Sequence, residues 1–136
     1  MASIRKEVHV AASPDHVWAA FRDVGAIHTR LARGFVTGTK LEGDTRLVTF
    51  ANGVVARERI IDIDDAKRRL AYSIVEGRLT HHHATFHVLP EAAGSRVIWV
   101  ADLLPNELKP AIEAMMDHGM SAMKSTLEGA RQDDAA

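Results

Sequence analysis

The chain has 136 residues, of which 46% are hydrophobic and 26% charged, and its formal net charge is −1 at pH 7. This balance is typical of a globular domain, and it provides no basic surface for a nucleic-acid backbone. Because there is no cysteine and no apolar run near the ~20 residues that span a bilayer, disulfides, thiolate sites and membrane insertion are excluded, and we expect a cytoplasmic protein.

The N-terminal part of the chain predicts one strand followed by two short helices. Residues 4–12 alternate imperfectly between apolar and polar, as a half-buried strand does. Ser13 is a favourable helix N-cap, and Pro14 suits the first helical position. A second short helix is predicted at 26–32. The first helix carries three apolar side chains on one face: Val17, Trp18 and Phe21.

From residue 35 the hydrophobic period changes to two, which predicts six further strands. Their expected ranges are 35–41, 45–51, 54–64, 70–76, 79–89 and 95–103. The connections are short and rich in turn residues, and Asn52-Gly53 is the strongest hairpin signal because a type I′ turn needs positive φ at both positions. Short connections between neighbouring strands predict an antiparallel meander.

The last predicted element is a long helix from Pro105-Asn106 to about Gly129, with a polar tail at 131–136. Its apolar side chains recur every three or four residues: Leu108, Ile112, Met115, Met116, Met120, Met123 and Leu127. This helix alone is large enough to cover one face of a seven-stranded sheet. We therefore predict one α+β domain, residues 1–130, in which a curved antiparallel sheet wraps around the long helix and leaves a cavity.

Several segments resemble a known family. They are ASPDHVWAAFRD at 12–23, GDTRLV at 43–48, ERIIDIDDAKRRLAYSIVEG at 58–77, SRVIWVADL at 95–103, and a glycine, Gly119, inside the last helix. Together they resemble the START-like helix-grip superfamily, in its polyketide cyclase/dehydrase branch, which shares its fold with plant abscisic acid receptors and pollen-allergen-like proteins. The resemblance implies a helix-grip fold whose cavity takes a small hydrophobic molecule, such as a lipid, polyketide or isoprenoid.

The resemblance also implies roles for two side chains. In the abscisic acid receptors, the glutamate that matches Glu58 lines the pocket and reaches the ligand through water. The position of His82 holds a tyrosine that also faces the pocket. The receptors' gate loop has no counterpart at 50–53, so hormone signalling is not implied.

Strand alternation selects the side chains that face the predicted cavity. For residues 54–64 the pattern leaves open whether Glu58 or its neighbours Arg57 and Arg59 point inward, and the resemblance favours Glu58. The expected ligand-binding residues are Glu58, Tyr72, Ile74, His82, Ala84, Phe86, Trp99, Ala101, Met116, Gly119, Met120 and Met123.

Two functions fit these residues. The first is a binding protein for a small hydrophobic molecule, working as a monomer or homodimer without a cofactor. The second is a cofactor-free polyketide cyclase or dehydratase, in which Glu58 and His82 form an acid–base pair. Glu58 and His82 could instead be a satisfied buried hydrogen bond, or Glu58 could pair with Arg57 or Arg59.

A metal site is the least favoured of the candidate sites. Histidines two apart on one strand, such as His81 and His83, can both ligate zinc, and His87 shares their face. That face is expected to be the solvent side of the sheet, and no carboxylate converges on it, so no metal is predicted.

Overall fold

The computed structural model describes the backbone of residues 1–135 and the side chains of residues 1–129. The strands are β1 (Ala2–Val10), β2 (Val36–Glu42), β3 (Thr45–Phe50), β4 (Val55–Asp64), β5 (Arg69–Ile74), β6 (His81–Glu91) and β7 (Gly94–Leu104). The helices are α1 (Pro14–Arg22), a π-helical turn (Ile27–Leu31), a 3₁₀ turn (Asn106–Leu108) and α2 (Lys109–Ala135).

The strands form one seven-stranded antiparallel sheet in the order β1-β7-β6-β5-β4-β3-β2. The predicted α+β helix-grip architecture is therefore confirmed, with two short helices after the first strand and a long helix at the end. Helix α2 continues to Ala135, beyond its expected end near Gly129. The predicted polar tail at 131–136 thus begins inside this helix, and Ala136 lies outside the described residues.

Helix α1 closes one end of the sheet. Ser13 caps it by accepting a hydrogen bond from the backbone N–H of His16 at 3.2 Å. The indole N–H of Trp18 donates to Asp65 in the β4–β5 turn at 2.9 Å. On the apolar side, the ring of Phe21 lies 4.7 Å from that of Phe86 on β6. These contacts fix α1 against the sheet.

Helix α2 covers the inner face of the sheet. Met116, Met120, Met123 and Leu127 are buried on its inward side. Near its end, Lys124 donates to the backbone carbonyl of His9 at 2.7 Å, which ties the helix to β1. Among the described helices, none combines the length and apolar character needed to cross a membrane.

Strands β5 and β6 separate at one end of the sheet. Their pairing runs from Arg69 opposite His87 to Tyr72 opposite Ala84 and then stops. Beyond that point β5 stays paired with β4, and β6 with β7. At Ile74 the hydrogen bond to β6 is made to a side chain in place of the backbone: the Ile74 N–H donates to Nδ1 of His82 at 3.0 Å.

Candidate functional site

A small cavity lies between the sheet and α2. Its volume is about 70 Å³, roughly half of the ~150 Å³ apolar cavity that holds a benzene molecule in another protein. Apolar side chains supply most of its lining: Ile27, Leu31, Ala32, Phe35, Val36, Val48, Phe50, Ile74, Phe86, Trp99, Met115, Met116 and Met123. The three polar residues that line it are Arg46, Glu58 and Tyr72.

The polar end of the cavity is built around a buried ion pair. Nε of Arg46 donates to Oε1 of Glu58 at 2.8 Å, and the two side chains are only 4% and 7% exposed. Nη1 of Arg46 also reaches the backbone carbonyl of Val24 at 3.3 Å. The guanidinium carbon lies 5.4 Å from the centre of the Tyr72 ring, within cation–π range. Two charges are thus held at one end of an otherwise apolar space.

Tyr72 completes this polar end. Its hydroxyl oxygen accepts a hydrogen bond from the indole N–H of Trp99 at 3.2 Å. Burial raises the pKa of Tyr72, and the nearby carboxylate of Glu58 raises it further, so the phenol keeps its proton. Within residues 1–129 nothing accepts that proton, and Nη2 of Arg46 and Oε2 of Glu58 have no hydrogen-bond partner. Since no fully buried side-chain nitrogen or oxygen there lacks a partner, these two atoms border open space. Two donors and one acceptor therefore remain for a bound molecule.

The predicted pair of Glu58 and His82 does not form. Glu58 bonds to Arg46, whereas Nδ1 of His82 accepts the N–H of Ile74 at 3.0 Å. His82 is buried, at 5% exposure, yet it does not line the cavity. The physical reason is the separation of β5 from β6, which leaves the Ile74 N–H without a strand partner and draws the imidazole to it.

The structure brings seven of the twelve expected ligand-binding residues to the cavity: Glu58, Tyr72, Ile74, Phe86, Trp99, Met116 and Met123. The five expected residues that do not line it are His82, Ala84, Ala101, Gly119 and Met120. Ala84, Ala101 and Met120 are buried in the surrounding core. Glu58 lies on the inward face of β4, a point that the sequence pattern left open.

Sequence reasoning missed Arg46 and the wall formed by residues 27–36. The signal for Arg46 was present, because Arg46, Val48 and Phe50 alternate on one face of β3 and the other two are apolar. An arginine in that row faces the interior and needs a buried anion. The wall at 27–36 had no such signal, since its path depends on contacts with distant elements, such as the bond from Arg33 N–H to Thr126.

Gly119 contributes space for the residues that surround the cavity. A Cβ atom there would lie 3.0 Å from Cζ3 of Trp99 and 3.3 Å from Cε2 of Phe35. Trp99 is stacked on Phe86 and bonded to Tyr72, so it has little freedom to move away. Glycine thus allows α2 to approach two cavity-lining rings.

We expect Gly119→Ala to lower the free energy of unfolding by about 1 kcal/mol, since overpacking of about 1–3 kcal/mol outweighs a gain in helix propensity of about 1 kcal/mol. Urea denaturation measures the change. Gly129→Ala in the same helix is the matched control, because a Cβ there meets nothing within 4 Å and should stabilise the protein. If both substitutions stabilised the protein, the Trp99 ring would be able to move away from the added methyl group at little cost.

The histidine-rich end of β6 does not form a metal site in the part of the chain whose side chains are described. There, no three His, Asp or Glu side chains converge closely enough to hold an ion. His81 is exposed, and His83 and His87 are partly exposed, on the outer face of the sheet.

Comparison with known proteins gives both sequence and structural matches. A family model described as polyketide cyclase/dehydrase and lipid transport matches residues 1–130. No curated protein sequence matches the chain.

The chain shares its fold with many solved structures, three of which follow. The protein XoxI from Bacillus cereus is 23% identical, with a TM-score of 0.83 and coverage of 100% of this chain and 99% of that one. Norcoclaurine synthase from Thalictrum flavum, in complex with dopamine and hydroxybenzaldehyde, is 23% identical, with a TM-score of 0.71 and coverage of 97% and 87%. The di-domain ARO/CYC BexL from the BE-7585A biosynthetic pathway is 19% identical, with a TM-score of 0.79 and coverage of 94% and 47%.

Proposed function

The chain belongs to the polyketide cyclase/dehydrase and lipid transport family, and from this premise we propose that it binds a small hydrophobic molecule with an oxygen-bearing group at one end. The apolar part of the molecule would lie against Phe86, Trp99 and the methionines of α2. Its oxygen would accept hydrogen bonds from Nη2 of Arg46 and from the hydroxyl of Tyr72. The observation that carries the proposal is the set of unused polar atoms at the end of an apolar cavity.

The size of the cavity supports an adaptable site. At about 70 Å³ it is too small for a substituted ring, so side chains must move when a ligand enters. Met115, Met116 and Met123 line it, and their unbranched thioethers change rotamer at little cost. Phe35, Phe50 and Met115 also line an outer groove next to Asn52 and His118. We therefore expect the ligand to enter beside Met115.

Binding is favoured over cofactor-free cyclase chemistry by the state of the ionisable groups. General acid–base catalysis needs groups that gain and lose protons near the working pH. The carboxylate of Glu58 is bonded to Arg46, His82 lies outside the cavity, and burial raises the pKa of Tyr72 so that it retains its proton. These groups are better suited to hold an oxygen atom than to transfer its proton.

The test compares two probes of similar shape, acetophenone and cumene, which differ by the presence of a carbonyl oxygen. We expect acetophenone to bind about tenfold more tightly, the effect of one or two net hydrogen bonds. Titration is followed by NMR of methionine methyl groups. The signals of Met115, Met116 and Met123 should shift, while that of the exposed Met1, which precedes β1, serves as the internal control.

The variant Tyr72→Phe tests the role of the hydroxyl group. It should weaken acetophenone binding and leave cumene binding nearly unchanged, because cumene makes no hydrogen bond. In Tyr72→Phe the Trp99 N–H also loses its acceptor, which destabilises the protein. This loss affects both probes equally, so the ratio of their affinities within each protein reports the hydroxyl group alone. Equal loss for both probes, or no shift of the cavity methionines, would refute the proposed site.

A further inference from the structure

A second concave site lies on the outer side of the sheet, where β5 leaves β6. This outer cleft has a volume of about 400 Å³, within the range of small-molecule pockets. Its apolar lining includes Ile61, Val75 and Leu79, and its polar lining includes Thr80 and the histidines 81–83. No carboxylate is among the residues that line it, so the side-chain polar groups of the cleft are hydroxyls and imidazoles.

His82 presents an unused donor to this cleft. Its Nδ1 accepts the N–H of Ile74, so in the neutral ring the proton lies on Nε2. Burial lowers the pKa of His82 to about 4, with smaller effects from His83 and His81, and the ring is therefore neutral at pH 7. Nε2 has no hydrogen-bond partner within residues 1–129. Every fully buried side-chain nitrogen or oxygen in that part of the chain does have a partner. Nε2 must therefore be reached by solvent, and His82 lines the outer cleft.

The outer cleft and the inner cavity share a boundary. Ile74 lines both, since it lies on β5 between the polar end of the cavity and the gap in the sheet. Tyr72, which faces the cavity, lies next to His82, with 5.7 Å between the ring centres. Glu58 is paired with Ile74 in the β4–β5 register. Ile74 thus lies between the donors of the cavity and the donor in the cleft, at a point where β5 and β6 are joined by the bond from the Ile74 N–H to His82 and by a bond from the Ser73 hydroxyl to the His82 carbonyl.

We propose that the outer cleft is a second subsite for the same ligand, in which Nε2–H of His82 binds a second oxygen-bearing group that reaches past Ile74. This inference rests on the proposed function and names the ligand more closely. The ligand would be an apolar molecule with oxygens at two positions, one inside near Arg46 and Tyr72 and one outside near His82. The small volume of the inner cavity agrees with a ligand that is only partly enclosed there.

The experiment compares two ketones of the same length and shape. Phenacylacetone carries a second carbonyl group, and isocaprophenone has a methyl-bearing carbon at that position. In the native protein at pH 7.5 we expect phenacylacetone to bind about tenfold more tightly than isocaprophenone, which is the effect of one additional hydrogen bond. The Cε1–H signal of His82 should shift on titration with phenacylacetone and much less with isocaprophenone, a readout that needs no variant.

The variant His82→Asn isolates the donor. The asparagine oxygen can still accept the Ile74 N–H, and the shorter side chain holds its NH2 group near the position of Cδ2 rather than Nε2. The donor at the Nε2 position is therefore lost, and the tenfold preference should disappear. His87→Asn is the matched control on the same strand, because His87 lines neither the cleft nor the cavity. It should retain the preference.

The outcomes separate this inference from the proposed function. If acetophenone binds but the two longer ketones bind equally, or if the preference survives in folded His82→Asn, the cleft subsite is refuted and the cavity site stands. If none of the ketones binds, both are refuted. A preference that is lost in His82→Asn and kept in His87→Asn supports the second subsite.

Discussion

Replacing Arg46 by methionine is expected to lower the free energy of unfolding by about 3–5 kcal/mol, since it leaves the carboxylate of Glu58 buried without its cation. Both side chains are almost fully buried and 2.8 Å apart, so solvent screening does little to weaken the pair. The substitution keeps most of the side-chain volume, and the loss of packing is therefore small. Urea denaturation at pH 7 measures the change through the midpoint and slope.

The double variant Arg46→Met/Glu58→Leu provides the control for charge. It removes both ions and fills the same space with apolar atoms, so it should be more stable than either single variant. Arg30→Met breaks an ion pair of the same length, 2.8 Å to Asp23, whose side chains are nearly half exposed, and it should change stability little. Additive losses in the double variant would show that the two charges are not coupled.

The fold could be predicted from the sequence because its signals are local and repeated. The period of two over residues 35–103 and the three- and four-residue spacing of the α2 methionines each extend over many positions. Burial of Val97, Trp99, Ala101 and Leu103 on alternate positions of β7 follows that pattern closely. The direction of a strand's side chains, toward the core or toward solvent, was therefore predictable wherever one face of the strand was clearly apolar.

The site was less predictable because it depends on where strands stop pairing. Glu58 and His82 were both expected inward, and both are buried, yet their partners are Arg46 on β3 and the backbone of Ile74 on β5. No periodic signal marks the residue at which β5 leaves β6. The partner of a buried polar side chain is a long-range property, whereas its burial is a local one.

Lowering the pH is expected to destabilise the protein through His82, by about 3 kcal/mol between pH 6.5 and pH 4. The unfolded chain binds a proton at His82 as the pH falls through about 6.5, whereas burial lowers the pKa to about 4 in the folded state. Over that interval the unfolded state holds more protons, so stability falls as the pH falls. Well above pH 6.5 the histidine is neutral in both states, and this contribution is fully present.

The difference between the native protein and His82→Asn isolates this effect. Hydrogen bonds lower the pKa values of Asp65, Glu91 and Glu128, so these carboxylates also reduce stability in acid, but equally in both proteins. Asparagine can accept the Ile74 N–H and does not titrate, so the variant should lose less stability between pH 7 and pH 5. Urea denaturation at several pH values gives the two curves, and parallel curves would mean that His82 accepts its proton equally readily in the folded and unfolded states.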